Sequence, residues 1–154
     1  MGIYTEIENQ ILAALTQIAD ARVVESYGGQ FTVNANDIQD IILASLKFPS
    51  LFVSITGRKF HNVNLQQRNE IQFNVWVADK NTRSENKARR GDKFSAGVYS
   101  LMEQVQDVLK YFRIDLIGCI GHVAAVEEKI LFFSKSSRIC VAEQKFIINM
   151  KGQI

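Results

Sequence analysis

The nine residues from Glu70 to Ala78, EIQFNVWVA, are the strongest constraint on what this chain can fold into. Ile71, Phe73, Val75 and Val77 fall on one side of an extended backbone, and Gln72, Asn74 and Trp76 on the other. That alternation predicts a strand with one covered face, and helical patterns elsewhere must supply the cover. Ile3, Ile7, Ile11, Leu15 and Ile18 recur at spacings of four and three and predict an N-terminal amphipathic helix. Phe94, Val98, Leu101, Met102, Val105, Val108, Leu109 and Phe112 predict a second, longer one. Between them, Asn36 or Asp37 is the expected cap of a short helix through Leu46, which Pro49 stops.

The remaining patterns are extended. RVVESY and QFTV flank Tyr27-Gly28-Gly29-Gln30 as two short strands around a turn, and SLFVSITG alternates from Ser50. Arg58 to Asn69 is polar with little periodicity and reads as a flexible arm, either loop or hairpin. The C-terminal third reads as strands over Leu116–Val126, Lys129–Ser134 and Arg138–Met150, with Glu127-Glu128 a charged turn and GCIG a strand kink. Strand runs packed on a few helices predict an α+β fold. The expectation is a single domain over residues 1–154, with a largely antiparallel or mixed sheet carrying an N-terminal helix, a short helix and one long helix.

The 154 residues suffice for a core without disulfides or metals. Cys119 and Cys140 sit in apolar runs, the habit of buried thiols, and fit a reducing cytoplasm. Glu6 and Glu8 replace the basic start of a secretory signal, and the longest apolar tract, Leu116–Val126, is too short to span a membrane. Net charge is +2, but its distribution is uneven. Residues 1–46 hold one base and six acids, a balance of −5, and the remainder balances at +7. Such asymmetry suits a head-to-tail contact between copies, or simple solvation.

Catalytic patterns are missing. No nucleophile elbow, phosphate loop or dinucleotide turn is present, and Glu127 and Glu128 on a strand would face opposite ways. His61, His122, Cys119 and Cys140 are the only soft ligands, and apart from the Cys119–His122 gap they lack the spacing of a structural zinc site. No cofactor or metal is expected, and the chain reads as a non-enzyme.

DKNTRSENKARRGDK, Asp79 to Lys93, then stands out with six basic and three acidic residues. Ser84 and Glu85 can start a short helix there, ended by Gly91. No aromatic is interleaved for base stacking, so a solvated joint or protein contact is favoured over nucleic acid. A nucleic-acid-binding accessory domain using residues 80–93 is the alternative reading.

Three segments carry a family resemblance: YTEIENQILAALTQI, FNVWVAD running into KNTRSENKARRG, and GVYSLMEQVQDVLKYF. With them the chain resembles the small tail proteins of Mu-like phages and prophages, similar in fold to the tail terminators of lambda-like phages. YFRIDLIG departs from the glycine-containing turn expected after the third segment. The resemblance implies a structural virion-assembly protein, a tail terminator or tail-completion ring. It implies a homo-oligomeric ring, typically six-fold, that caps the tail tube protein and meets a head–tail connector protein. No membrane is involved, and the protein passes from the cytoplasm of a bacterial host to the virion tail. Arg83, Lys87, Arg89 and Arg90 are the contact residues expected toward a neighbouring subunit or the tube, with Arg58, Lys59 and Arg68 on the arm.

Overall fold

A six-stranded sheet in the order β1-β4-β5-β8-β7-β6 dominates the computed structural model. The structure describes residues 2–28, 33–34, 37–38, 47–63, 66–81, 85–92, 97–134 and 138–152. Along the chain these are α1 (Ile3–Leu15), β1 (Val23–Ser26), β2 (Val33–Asn34), β3 (Asp37–Ile38), β4 (Ser50–Val63) and β5 (Gln66–Lys80). Then follow α2 (Glu85–Arg90), α3 (Val98–Leu109), β6 (Arg113–Leu116), β7 (Cys119–Ser134) and β8 (Ile139–Gly152).

The alternation of β5 does what it predicts. Ile71, Phe73, Val75 and Val77 are fully buried, and Ile7, Ile11 and Leu15 of α1 join Leu101, Val105 and Leu109 of α3 in covering them. Each such side chain contributes roughly 1.5–3 kcal/mol of burial. The sheet is mixed: β1 runs parallel to β4, and the other four pairings are antiparallel. β5 and β8 are the central strands, in register from Asn69↔Met150 to Lys80↔Ile139.

Several expectations need correction. Of the two strands around the Tyr27 turn, the first is present; residues 30–32 of the second lie outside the described residues. Val23–Ser26 pairs in parallel with Ser50–Val53, entered by Arg22 and Val23 N–H donating to the Pro49 carbonyl. The predicted short helix from residue 36 begins in the structure as strand. Asp37 and Ile38 pair back onto Asn34 and Val33, while residues 39–46 lie outside the described residues. The long helix is shorter than its apolar repeat and no longer than α1. It ends at Leu109, where Tyr111 and Phe112 N–H both turn back to the Leu109 carbonyl; Phe94 lies outside the described residues. The fold is therefore strand-dominated rather than balanced α+β.

The C-terminal third is also more continuous than expected. Glu127 and Glu128 are not a turn but the middle of the sixteen-residue strand β7, which absorbs them with a bulge between Ala125 and Glu127. The turn is at Ile117-Gly118, where Leu116 pairs with Cys119 and Gly118 takes φ 78°. Gly121 sits mid-strand because a Cβ there would collide with Met150 Sδ and Ile148 Cγ2. The polar stretch Arg58–Asn69 is the hairpin of its two alternatives: β4 and β5 pair out to Val63↔Gln66.

A smaller cluster occupies the face away from the helices. Phe52, Ala78, Ile139 and Val141 are buried there, with Tyr27, Phe48 and Trp76 against them. Tyr27 stacks on Trp76 at 5.1 Å and 16°. Phe52 is thus a core residue, and Trp76 is half-buried under a tyrosine.

Candidate assembly surfaces

The basic joint after β5 is a packed structure, and one carboxylate organises it. Asp79 is 1% exposed at the end of β5. Its Oδ1 accepts the Lys80 N–H at 2.8 Å and its Oδ2 accepts the Gly97 N–H at 2.8 Å. The last residue of β5 and the residue before α3 are thereby tied to one side chain. Asn81 adds two further ties, with its Nδ2 on Asp92 Oδ2 at 3.1 Å and its N–H on the Arg138 carbonyl. Between these anchors α2 buries Ala88 completely and ends in Gly91, whose N–H returns to the Lys87 carbonyl. Gly91 and Gly97 take φ 84° and 83° because their backbones lie against each other; a Cβ on Gly97 would strike the Gly91 nitrogen.

Of the residues expected to make contacts here, Arg83 lies outside the described residues. Lys87 and Arg89 are half-buried and engaged in contacts of their own, and Arg90 is exposed. The arm holds the other three. Arg58 donates from Nε and Nη2 to Asn69 Oδ1 at 3.1 and 2.9 Å and lies 4.5 Å from the Phe60 ring centre. Lys59 and Arg68 are exposed, and His61 meets Glu70 at 3.0 Å. The two sets do not form one patch. Arg68 and Lys80 lie near opposite ends of β5, twelve residues or about 40 Å apart at strand rise.

Beyond the short outer strands, β4 and β7 have edges that no described strand covers. β1 pairs with β4 only as far as Ser26↔Val53, with Tyr27 N–H adding one bond to the Val53 carbonyl. Among the described residues nothing pairs with the outer edge of β4 from Ser54 to Val63. β6 covers β7 only from Cys119 to His122, and Val123 N–H then reaches the Phe112 carbonyl. From Ala124 to Ser134 the outer edge of β7 likewise has no partner strand among the described residues.

Beside that edge a groove of about 590 Å³ runs between α3 and β7. Leu109, Val123 and Phe146 are apolar at its base, and Glu103, Asp107 and Glu128 stand on its rim. A second cavity of about 330 Å³ shares Glu103 and Glu128 and continues it toward Tyr99 and Ile130. Glu128 is fixed in place: its Oε1 accepts Gln106 Nε2 at 2.6 Å and Gln144 Nε2 at 2.8 Å, while Gln144 also donates to the Met102 carbonyl. The sequence reading missed this groove, having placed Glu128 in a turn. The available signal was the extended pattern resuming at Lys129, which a bulge reconciles with the strand before it.

Asp20, one of the N-terminal acids, accepts Gln104 Nε2 from α3, and so borders the same helix that carries Glu103 and Asp107. On the face away from the helices, Lys145 lies between Glu127 and Glu143 at 3.7 Å each, and Lys129 is 3.8 Å from Glu143.

The soft ligands do not converge: His61 is on the arm beside Glu70. Cys119 and Cys140 pair with Gly152 and Phe133 at opposite ends of the β7–β8 ladder, and His122 is exposed beside Asn149. Burial pushes the Cys119 thiol up, against smaller opposing pulls from Arg58 and the Ile120 N–H. Among the described residues no group of three His, Cys, Asp or Glu side chains is placed to hold a metal ion. No helix of the described residues is long and apolar enough to cross a membrane.

Residues 3–135 match the family model of bacteriophage Mu Gp37. No curated protein matches the chain. The match covers most of the 154 residues, so the chain belongs to the bacteriophage Mu Gp37 family, a family of Mu-like phage proteins.

Proposed function

Starting from a member of the bacteriophage Mu Gp37 family, we propose that this chain is a structural component of a phage tail without catalytic activity. Its role is that of a tail terminator or tail-completion protein, which closes the growing end of the tail tube and prepares it for head joining. The observation that supports this best is the sheet itself: among the described residues, uncovered backbone runs along the outer edges of β4 and β7, bordered by a basic arm on one side and an acidic groove on the other. Protein surfaces of this kind accept neighbours. The partners are further copies of the chain in a ring, the tail tube protein and a head–tail connector protein. The site of action is the virion tail after synthesis in a bacterial host.

Light scattering over a concentration series, with and without purified tail tubes, tests the reading. One subunit is 17.4 kDa, so a closed six-fold ring is expected at about 104 kDa. A ring-sized species, or retention of the chain at tube ends, is the expected result. A monomer at every concentration, with no retention on tubes, would sink the proposal.

A further inference from the structure

We infer that the groove between α3 and β7 receives the β4–β5 arm of a second copy of this chain, which adds the outer edge of β4 to the uncovered edge of β7. The inference rests on the ring reading above and names the surfaces that would build it.

Three observations select this occupant. The first is backbone: a strand edge flanked by a groove and, among the described residues, without a partner strand is the arrangement that accepts an added strand, and β4 offers another such edge. The second is charge. The groove lining holds three carboxylates, Glu103, Asp107 and Glu128, and one ammonium, Lys110. On the matching face the arm presents Arg58; Lys59, Arg68 and Glu70, the last already on His61, lie on its other face. The third is an aromatic. Phe60 is 54% exposed on the arm, and the groove base is apolar. The faces agree as well. Arg58 pairs with the buried Ile71, which puts Arg58 and Phe60 on the helix side of β4. Ala125 pairs with the buried Phe146 and Glu128 with Gln144, which places them on the helix side of β7. An added arm would set Phe60 against the groove base and Arg58 near its acidic rim.

The arm cannot fill its own groove. In the order β4-β5-β8-β7 three strand spacings separate them, about 14 Å across a rigid sheet. Arm and groove are different surfaces, so repeating the contact in one direction generates a ring or a filament. Reciprocal exchange between two copies gives a dimer.

Two sets of variants of the full chain test this. Arg58→Glu reverses the arm's charge on that face; Glu103→Lys with Asp107→Lys reverses the rim, at two exposed positions of α3. Each set is expected to weaken self-association by about tenfold or more, and mixing the two sets to restore it. Independently, a Phe60→Cys chain mixed with an Ala125→Cys chain at high concentration should form a heterodimeric cross-link. Cys119 and Cys140 are buried and do not compete. Oligomers that survive both reversals and give no such cross-link would overturn this contact and leave the ring reading intact. A cross-linked dimer insensitive to tail tubes would uphold the contact and remove the ring. Absence of both oligomer and cross-link at high concentration would overturn both.

Discussion

Arg58, Lys59 and Arg68 on the arm, and Lys87, Arg89 and Arg90 in the joint, are three cations each, drawn from stretches of similar polarity. The joint is pinned at both ends to Asp79, buries Ala88 and folds two glycine backbones together. The arm is held by its β4–β5 ladder and by Arg58 on Asn69, and it leaves Phe60 more than half exposed. The difference teaches that basic composition does not decide whether a segment packs or projects. A buried carboxylate meeting backbone N–H groups decides it in the joint, and no such anchor serves the tip of the arm among the described residues.

The comparison is open to attack by substitution, with denaturant unfolding as the common measurement. Gly97→Ala should cost the most, about 4 kcal/mol, since it adds positive-φ strain to a collision with the Gly91 backbone. Asp79→Ala should follow at about 3 kcal/mol, because it strands two N–H donors at a buried site. On the arm, Asn69→Ala should cost only about 1 kcal/mol, as half-exposed Arg58 can turn to water. Phe60→Ser should stay within about 0.5 kcal/mol in the monomer while reducing self-association. A ranking with Asn69→Ala above Asp79→Ala would mean that the arm, not the joint, is the anchored region.

Much of this was readable from the residues. The face of β5 and the repeats of α1 and α3 follow from side chains that bury themselves whatever the topology: Ile71 and Phe73, Ile7 and Ile11, Leu101 and Val105. Helix α2, with its stop at Gly91, was also visible locally. Partner choice was not. Val23–Ser26 reads as a short strand before a turn, but its pairing is settled by the distant Ser50–Val53 and by α1 packing on both. Glu127-Glu128 reads as a turn because bulges hide the strand period. For the candidate surfaces, the cations could be named in advance. Their division between the two ends of β5 could not, since it depends on where that strand stops. The groove needed the pairing of β7 with β8, which no local pattern contains.

The central ladder joins Trp76 to Glu143, sixty-seven residues later in the chain. During synthesis at about 5–20 residues per second, β5 therefore waits roughly 3–13 s for β8 to be made. In that interval the β4–β5 hairpin can already exist, because its strands are adjacent in sequence, but the inner side of β5 has no mate. On a polysome, neighbouring unfinished chains would meet with that side bare. The native sheet is thus completed late and from its middle, and the yield of correctly folded protein should fall when translation slows between β5 and β8.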